Sequence, residues 1–248
     1  MADIELADPG DSESLLALLW GRRRTPTRGP KANLQLPDIV SAALGIADTT
    51  GLEAVSMNAV ADALGYSKMS LYRHVATKDE LVAVMTDTAI GPPPDLGKVR
   101  GGWRRRLEAY AGALWDTWQR HPWLPGATIG GRVMGPNEVG WVEQAVHALA
   151  DTGLSGDERI DAVLLVSAHV RTAHSLASSG TFPWTAERQL SPQMTSILRE
   201  QADRYPAILD AVATASPRPV RHVDDGLGLH CILDGLELRI ARRRPPRR

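Results

Sequence analysis

LQLPDIVSAALGIADTTGLEAVSMNAVADALGYSKMSLYRHVATKDEL, residues 34–81, repeats its apolar positions on a helical period and interrupts them with turn chemistry. Leu36, Ile39, Val40, Ala43, Leu44 and Ala47 recur three and four apart, the stripe of an amphipathic helix that buries one face. Asp48-Thr49-Thr50-Gly51 ends it. Ser56 can cap a second helix, because its hydroxyl accepts a backbone N–H left unpaired in the first turn, and Met57, Val60, Ala61 and Leu64 then point inward. Gly65 closes that helix, since glycine enters the left-handed conformation without steric penalty. After Tyr66 and Ser67 the spacing predicts a third helix from about Lys68 to Val75. Leu71 and Val75 face inward in it, and Lys68, Met69, Ser70, Tyr72, Arg73 and His74 stay outside. Two helices joined by a short glycine-containing turn form the helix-turn-helix, whose second helix enters the major groove of DNA.

The outward set has the chemistry that a duplex demands. Lys68 can donate to a guanine edge or a phosphate, Ser70 and His74 can bond to bases, and Met69 can touch a thymine methyl. Tyr72, Arg73 and Lys78 suit the phosphate backbone. Thr77 is an N-cap for the next helix, with Glu80 three residues on completing a capping box. Taken singly, each of these residues also reads as part of a solvated helix face. The ordered pattern of stripe, cap, turn and polar face favours DNA binding.

The stretch from Leu36 to about Ala89 resembles the N-terminal domain of the TetR family of bacterial transcriptional repressors. The residues that carry the resemblance are Gly51-Leu52, the A-x-x-L-G of Ala61 to Gly65, and the S-L-Y-R-H-V-x-x-K-x-x-L of Ser70 to Leu81. It implies that Lys68, Met69, Ser70, Tyr72 and His74 face the operator and that Lys78 anchors a phosphate. Met57-Asn58-Ala59 departs from the family, whose members often carry a DNA-reaching arginine here. Asn58 can bond to adenine or phosphate instead, so no relative's operator transfers to this chain.

Around this core, 248 residues are enough for one large or two modest domains, and a net charge of −1 requires any DNA affinity to come from local charge. Charge is segregated at the N-terminus, where Asp3, Glu5, Asp8, Asp11 and Glu13 precede Arg22, Arg23, Arg24, Arg28 and Lys31. Pro26, Gly29 and Pro30 make that basic arm extended. It lies along DNA or serves as a nonspecific basic linker, and both readings stand. Ser12 to Trp20 is a short apolar run, expected to be a helix docked on the body, and neither it nor any other stretch reads as a membrane span or secretory signal. One cysteine, Cys231, excludes an internal disulfide and suits a reducing cytoplasm; its apolar neighbours predict a buried position.

Gly91-Pro92-Pro93-Pro94 breaks the composition, and the chain beyond it reads as helical. Trp103 to Arg120 forms one long helix with Leu107, Tyr110, Ala111, Leu114, Trp115 and Trp118 inward. Leu124 to Pro136 is irregular or carries one short helix. Asn137 is expected to cap a helix to about Thr152, with Trp141, Ala145, Val146 and Leu149 inward. Asp157 to Ser178 presents Ile160, Val163, Leu164, Ser167, Ala168, Arg171 and Ser175, a face of largely small residues. Asp224 to Arg242 presents Leu229, Ile232, Leu233, Leu236 and Ile240. A bundle of these two helices from each of two subunits would cover both faces; burial inside one subunit is the alternative.

His121-Pro122-Trp123-Leu124, Gly135-Pro136-Asn137, the G-L-S from Gly153 and the G-L-x-L-x-x-I-L-D-G-L-E of Gly226 to Glu237 resemble the tetracycline-repressor-like C-terminal domain. Together the resemblances imply an all-α homodimer: a three-helix helix-turn-helix DNA-binding domain (34–91), then a larger helical ligand-binding and dimerisation domain (98–241). An N-terminal extension (1–33) and a basic tail (242–248) flank them. The expected partners are a double-stranded palindromic DNA operator, a second copy of the chain and a small-molecule inducer.

Six of the seven tryptophans, Trp103, Trp115, Trp118, Trp123, Trp141 and Trp184, in a chain with one phenylalanine suit a flat aromatic ligand, although core packing explains most tryptophans in most proteins. Trp115, Trp118 and Trp141, with His147, His169, Arg171 and His174, are the candidate ligand contacts. His169 and His174 are five apart and fall on different helix faces, against a metal pair. No phosphate loop, nucleophile elbow, H-E-x-x-H or cysteine cluster is present, so neither catalytic residues nor a cofactor or metal is expected. A ligand-independent architectural DNA-binding protein is the alternative function, with slight support from the tail RRRPPRR.

Overall fold

A computed structural model describes residues 9–22, 34–179, 189–215 and 222–243. Most of the basic arm (Arg23, Arg24, Arg28 and Lys31), Trp184 and the tail beyond Arg243 lie outside them. The described residues form twelve α-helices and no β-sheet. Two compact units result, one of residues 1–95 and 116–147, the other of residues 96–115 and 148–248. No helix among the described residues is long and apolar enough to cross a membrane.

In the first unit, α2 (Leu36–Thr50) packs on α3 (Met57–Leu64) and α5 (Lys78–Ile90), and α3 packs on α4 (Lys68–Leu71). The α2 stripe goes inward as its spacing predicts, with Ile39, Val40, Ala43 and Ala47 buried. Ser56 Oγ accepts the Ala59 N–H at 3.1 Å, and Gly65 ends α3 at φ 70°, ψ 28°. α4 is shorter than the period suggests. After Leu71 the His74 N–H turns back to the Leu71 carbonyl at 2.8 Å, a three-residue closure on the same carbonyl that accepts the Val75 N–H at 3.1 Å. Leu71 and Val75 are nonetheless both fully buried, so the polar face above them is held in place.

Thr77 Oγ1 accepts the Glu80 N–H at 3.0 Å and caps α5. The Glu80 carboxylate does not complete the box on Thr77. It accepts instead from the Ala76 N–H at 2.7 Å and from the Ser14 hydroxyl at 3.2 Å. Ser14 belongs to α1 (Pro9–Leu19), which packs on α5, as the apolar run predicts. Trp20 Nε1 donates to the Met134 carbonyl at 3.3 Å beyond it.

α7 (Leu124–Ala127) is the one short helix in the glycine-rich stretch, and it packs on α5. α8 (Pro136–Ala148) corrects a second expectation, because Asn137 is not its cap. Asp87 of α5 supplies the acceptor: its Oδ1 takes the N–H groups of Asn137 (3.0 Å) and Glu138 (3.1 Å). The Asn137 side-chain amide donates back to Asp87 Oδ2 (3.1 Å) and to the Asp87 carbonyl (2.9 Å). Gly135 is required here, since a Cβ would overlap the Asp87 carboxylate. Trp141 Nε1 ties the same helix to the Gly91 carbonyl at 3.0 Å.

α6 (Gly102–Arg120) and α8 contribute residues to both units. In the second unit, α9 (Gly156–Ser179) packs on α12 (Leu227–Arg243). α9 buries Ala162, Val163, Val166, Val170 and Ala173, and α12 buries Leu229, Leu233 and Ile240. Of the predicted α12 stripe, Leu229, Leu233 and Ile240 are therefore covered within the chain, while Ile232 and Leu236 are half-buried. The outward apolar residues are Leu227 (76% exposed) and Leu238 (63%) on α12, and on α9 Ile160 (49%) and Leu164 (60%), both part of the face predicted for that helix. Cys231 is exposed on α12, against the expectation of burial, because it falls on the side opposite Leu229 and Leu233.

Arg104 of α6 bonds to Asp234 (2.7 Å) and Glu237 (3.0 Å), and Glu158 accepts from Arg239 (2.7 Å) and Arg243 (2.6 Å). These pairs link α12 to α6 and α9. α10 (Pro192–Glu200) and α11 (Pro206–Thr214) complete the chain order before α12, with Ser191 Oγ accepting the Met194 N–H to cap α10.

Candidate nucleic-acid interface

The α4 turn presents the residues expected to read DNA. Lys68, Met69, Tyr72 and Arg73 are exposed, Met69 at 66%, while Ser70 and His74 are half-buried. Ser70 Oγ lies 3.1 Å from Ser67 Oγ, which orients both hydroxyls at the start of the turn. Burial pushes the His74 imidazole below its ordinary pKa, and the charge of Arg73 adds to the effect. His74 is thus neutral at neutral pH, with one ring nitrogen a donor and the other an acceptor. Lys78 at the start of α5 and Asn58 on α3 are exposed beside it in the chain order.

Tyr66 (39% exposed) and Ser67 stand in the turn before α4 and extend the polar surface. Periodicity passes over them because they belong to neither helix. Their place directly after the left-handed Gly65 is the one signal that marks them.

The expected ligand contacts divide between the units. In the second unit the Trp115 ring meets His174 edge-on at 5.4 Å and His222 at 6.5 Å. Trp115 and His174 are almost wholly buried, and burial lowers the His174 pKa, keeping it neutral. Tyr110 Oη lies 3.0 Å from Ser167 Oγ. Burial raises the Tyr110 pKa, opposed by that hydrogen bond and by the charge of Arg171. Trp115 and His174 thus meet each other and His222, and Arg171 acts on a Tyr110–Ser167 pair; Tyr110, Ser167 and His222 are three residues that typing by side chain alone passes over. The His222 ring packs against Gly112 at ordinary contact distance, 3.4 Å from its Nε2 to where a Cβ would stand.

His169 lies over Gly228 of α12, a packing role. Trp118, Trp141 and His147 belong to the first unit, where the two tryptophans are buried and His147 is exposed. Among the described residues no group of His, Cys, Asp or Glu is placed to hold a metal ion.

An amphipathic helix, a capped second helix, a left-handed glycine and an outward polar turn define a helix-turn-helix transcriptional regulator. The sequence matches the bacterial regulatory proteins of the tetR family over residues 39–85 and the tetracyclin repressor-like C-terminal domain over residues 94–240. The chain belongs to the TetR family, a family of DNA-binding transcriptional regulators. The repressor DrrR1 of Streptomyces coeruleorubidus is 36% identical over 252 residues, covering 97% of this chain and 91% of its own. A transcriptional regulator of Saccharopolyspora erythraea is 28% identical over 200 residues, covering 79% and 82%. Among solved structures, Streptomyces coelicolor ActR in complex with (S)-DNPA aligns with a TM-score of 0.68 at 28% identity, covering 84% of this chain and 98% of ActR. ActR in complex with actinorhodin aligns with a TM-score of 0.64 at 26% identity, covering 84% and 99%.

Proposed function

We propose that the protein is a homodimeric repressor that binds a palindromic operator and is released by a small aromatic molecule. The observation that carries the DNA half is the α4 turn, whose exposed Lys68, Met69, Tyr72 and Arg73 stand over the fully buried Leu71 and Val75. Ser70, His74, Lys78 and Asn58 complete the contact set. Lys68 and the Ser70 and His74 side chains address base edges, and Tyr72, Arg73 and Lys78 address phosphates. The relative DrrR1 is a repressor by name, which supports repression as the direction of control.

The dimer is supported by α9 and α12, which leave Ile160, Leu164, Leu227 and Leu238 uncovered on helices that are otherwise well packed. Two copies present two α4 turns, and both engage only when their separation matches one helical repeat, about 34–36 Å. The small molecule is assigned to the cluster of Trp115, His174 and His222, with Tyr110 and Arg171 supplying polarity. That the related ActR has been crystallised in complex with actinorhodin and with (S)-DNPA supports a small-molecule ligand. A ligand that favours a conformer with mismatched turns lowers operator affinity by its differential affinity for the two states. A regulator of this kind works in the bacterial cytoplasm, where the chromosome is.

Sequence selection from random duplex DNA with the purified protein tests this reading. One palindromic motif is expected, with binding weakened by Lys68→Ala and Tyr72→Phe. Coating of DNA without sequence preference, or a selected site bound as tightly by both variants, refutes it.

A further inference from the structure

We infer that Asp48 is a positioning residue that fixes the pose of the reading head, and so sets how strictly the protein measures the spacing between operator half-sites. Asp48 lies in the last turn of α2, where the helix dipole disfavours a negative charge. A single oxygen, Oδ1, holds two donors there: Trp123 Nε1 at 2.7 Å and His121 Nδ1 at 2.8 Å. Trp123 is 8% exposed, and its ring meets His121 edge-on at 6.2 Å, so the two donors constrain each other as well as the carboxylate.

The place of the donors in the chain gives the clamp its role. His121 follows the last residue of α6 directly, and its N–H continues the helix to the Thr117 carbonyl at 3.0 Å. The Leu124 N–H returns to the His121 carbonyl at 3.0 Å and turns the chain into α7. The corner between α6 and α7 is therefore rigid and is fastened to α2, the helix on which α3 and α5 of the head are packed. α6 is continuous with residues 102–115, which belong to the unit that carries α9 and α12. Rotation of the head away from that corner breaks both bonds at Asp48.

Adding one base pair between half-sites moves them by about 3.4 Å and turns them by about 35° about the duplex axis. A head free to swivel absorbs such a change. A head clamped at Asp48 rejects it.

This inference rests on the dimeric operator reading proposed above. The test measures affinity of the full chain for the selected operator, for versions with one base pair added or removed at the centre, and for a single half-site. Wild type, Asp48→Ala, Asp48→Asn and Trp123→Phe are compared at equal helicity and dimer content. Wild type is expected to discriminate against altered spacing at least tenfold. Asp48→Ala and Trp123→Phe are expected to fall to threefold or less with single half-site affinity unchanged, and Asp48→Asn, which keeps an accepting oxygen, to recover most of the discrimination. Wild-type discrimination in both Asp48→Ala and Trp123→Phe overturns the clamp. So does a loss of half-site affinity with spacing preference intact, which marks Asp48 as merely structural. A wild type indifferent to spacing instead overturns the dimeric reading, and the clamp falls with it.

Discussion

Replacing Asp87 by alanine removes the acceptor that α5 offers to the start of α8. The N–H groups of Asn137 and Glu138 lose their partner, and Glu138 lies in a buried position. Losing an N-cap costs about 0.5–2 kcal/mol, and each buried donor left unsatisfied costs about 1–3 kcal/mol where water cannot reach it. Relief from burying a carboxylate offsets part of this, because desolvation is the dominant influence on Asp87 and raises its pKa above 3.8. A net loss of about 2–4 kcal/mol is expected, or roughly 4–16 °C in Tm for a chain of this size. Asp87→Asn keeps an oxygen for both backbone donors and buries no charge, so it should cost less than about 1 kcal/mol. Urea unfolding followed by far-UV circular dichroism measures both. The sign with pH is also defined: a carboxyl whose folded pKa is raised favours the fold most strongly at low pH and loses that contribution as pH rises from 3.8 through its folded value. The wild type should therefore gain on Asp87→Asn as the solution is acidified. A loss under about 0.5 kcal/mol for Asp87→Ala, or equal losses for the two variants, would refute the latch.

Glu158 behaves in the opposite sense. The Ser155 N–H, Arg239 and Arg243 hold its carboxyl down to about 2 from 4.5, so its contribution is present above 4.5 and disappears as pH falls through about 2. Acid unfolding of Glu158→Gln should show a correspondingly shallower limb than wild type. Gly228→Ala forces a Cβ into the His169 ring and should lower stability by about 1–3 kcal/mol in chemical denaturation, despite alanine's better helix propensity. Leu164→Glu places a charge on the uncovered face of α9 and should shift sedimentation from dimer to monomer with helicity retained.

The reading head is legible in the sequence because its determinants are local. Ser56 and Thr77 bond within three residues of themselves, Gly65 supplies its own turn, and the α2 stripe needs only a helical period. The features that escape such a reading depend on partners distant in the chain. The cap of α8 comes from Asp87, fifty residues earlier, so Asn137 reads as the cap when it is the residue being capped. The Glu80 carboxylate turns to Ala76 and Ser14 because α1 docks beside it. On α12, Leu229 and Leu233 and the opposing Cys231 all lie among apolar residues, and only the packing of α9 decides which side is covered. The candidate ligand residues are half-visible for the same reason: Trp115 and His174 stand out by type, whereas His222, distant in the chain, meets Trp115 only in the fold.

The brevity of α4 has an informational consequence. Four helical residues advance about 6 Å along their axis, close to two base-pair steps, and flanking side chains extend that to about three or four. A four-letter word recurs by chance roughly once in every 256 base pairs, so one reading turn alone would meet thousands of decoys among the ~10⁶ or more sites of a genome. Two such words at a fixed interval recur about once in 65,000, which leaves only tens. On the dimeric operator reading proposed above, address selection is therefore a property of the ruler between the two words more than of either word.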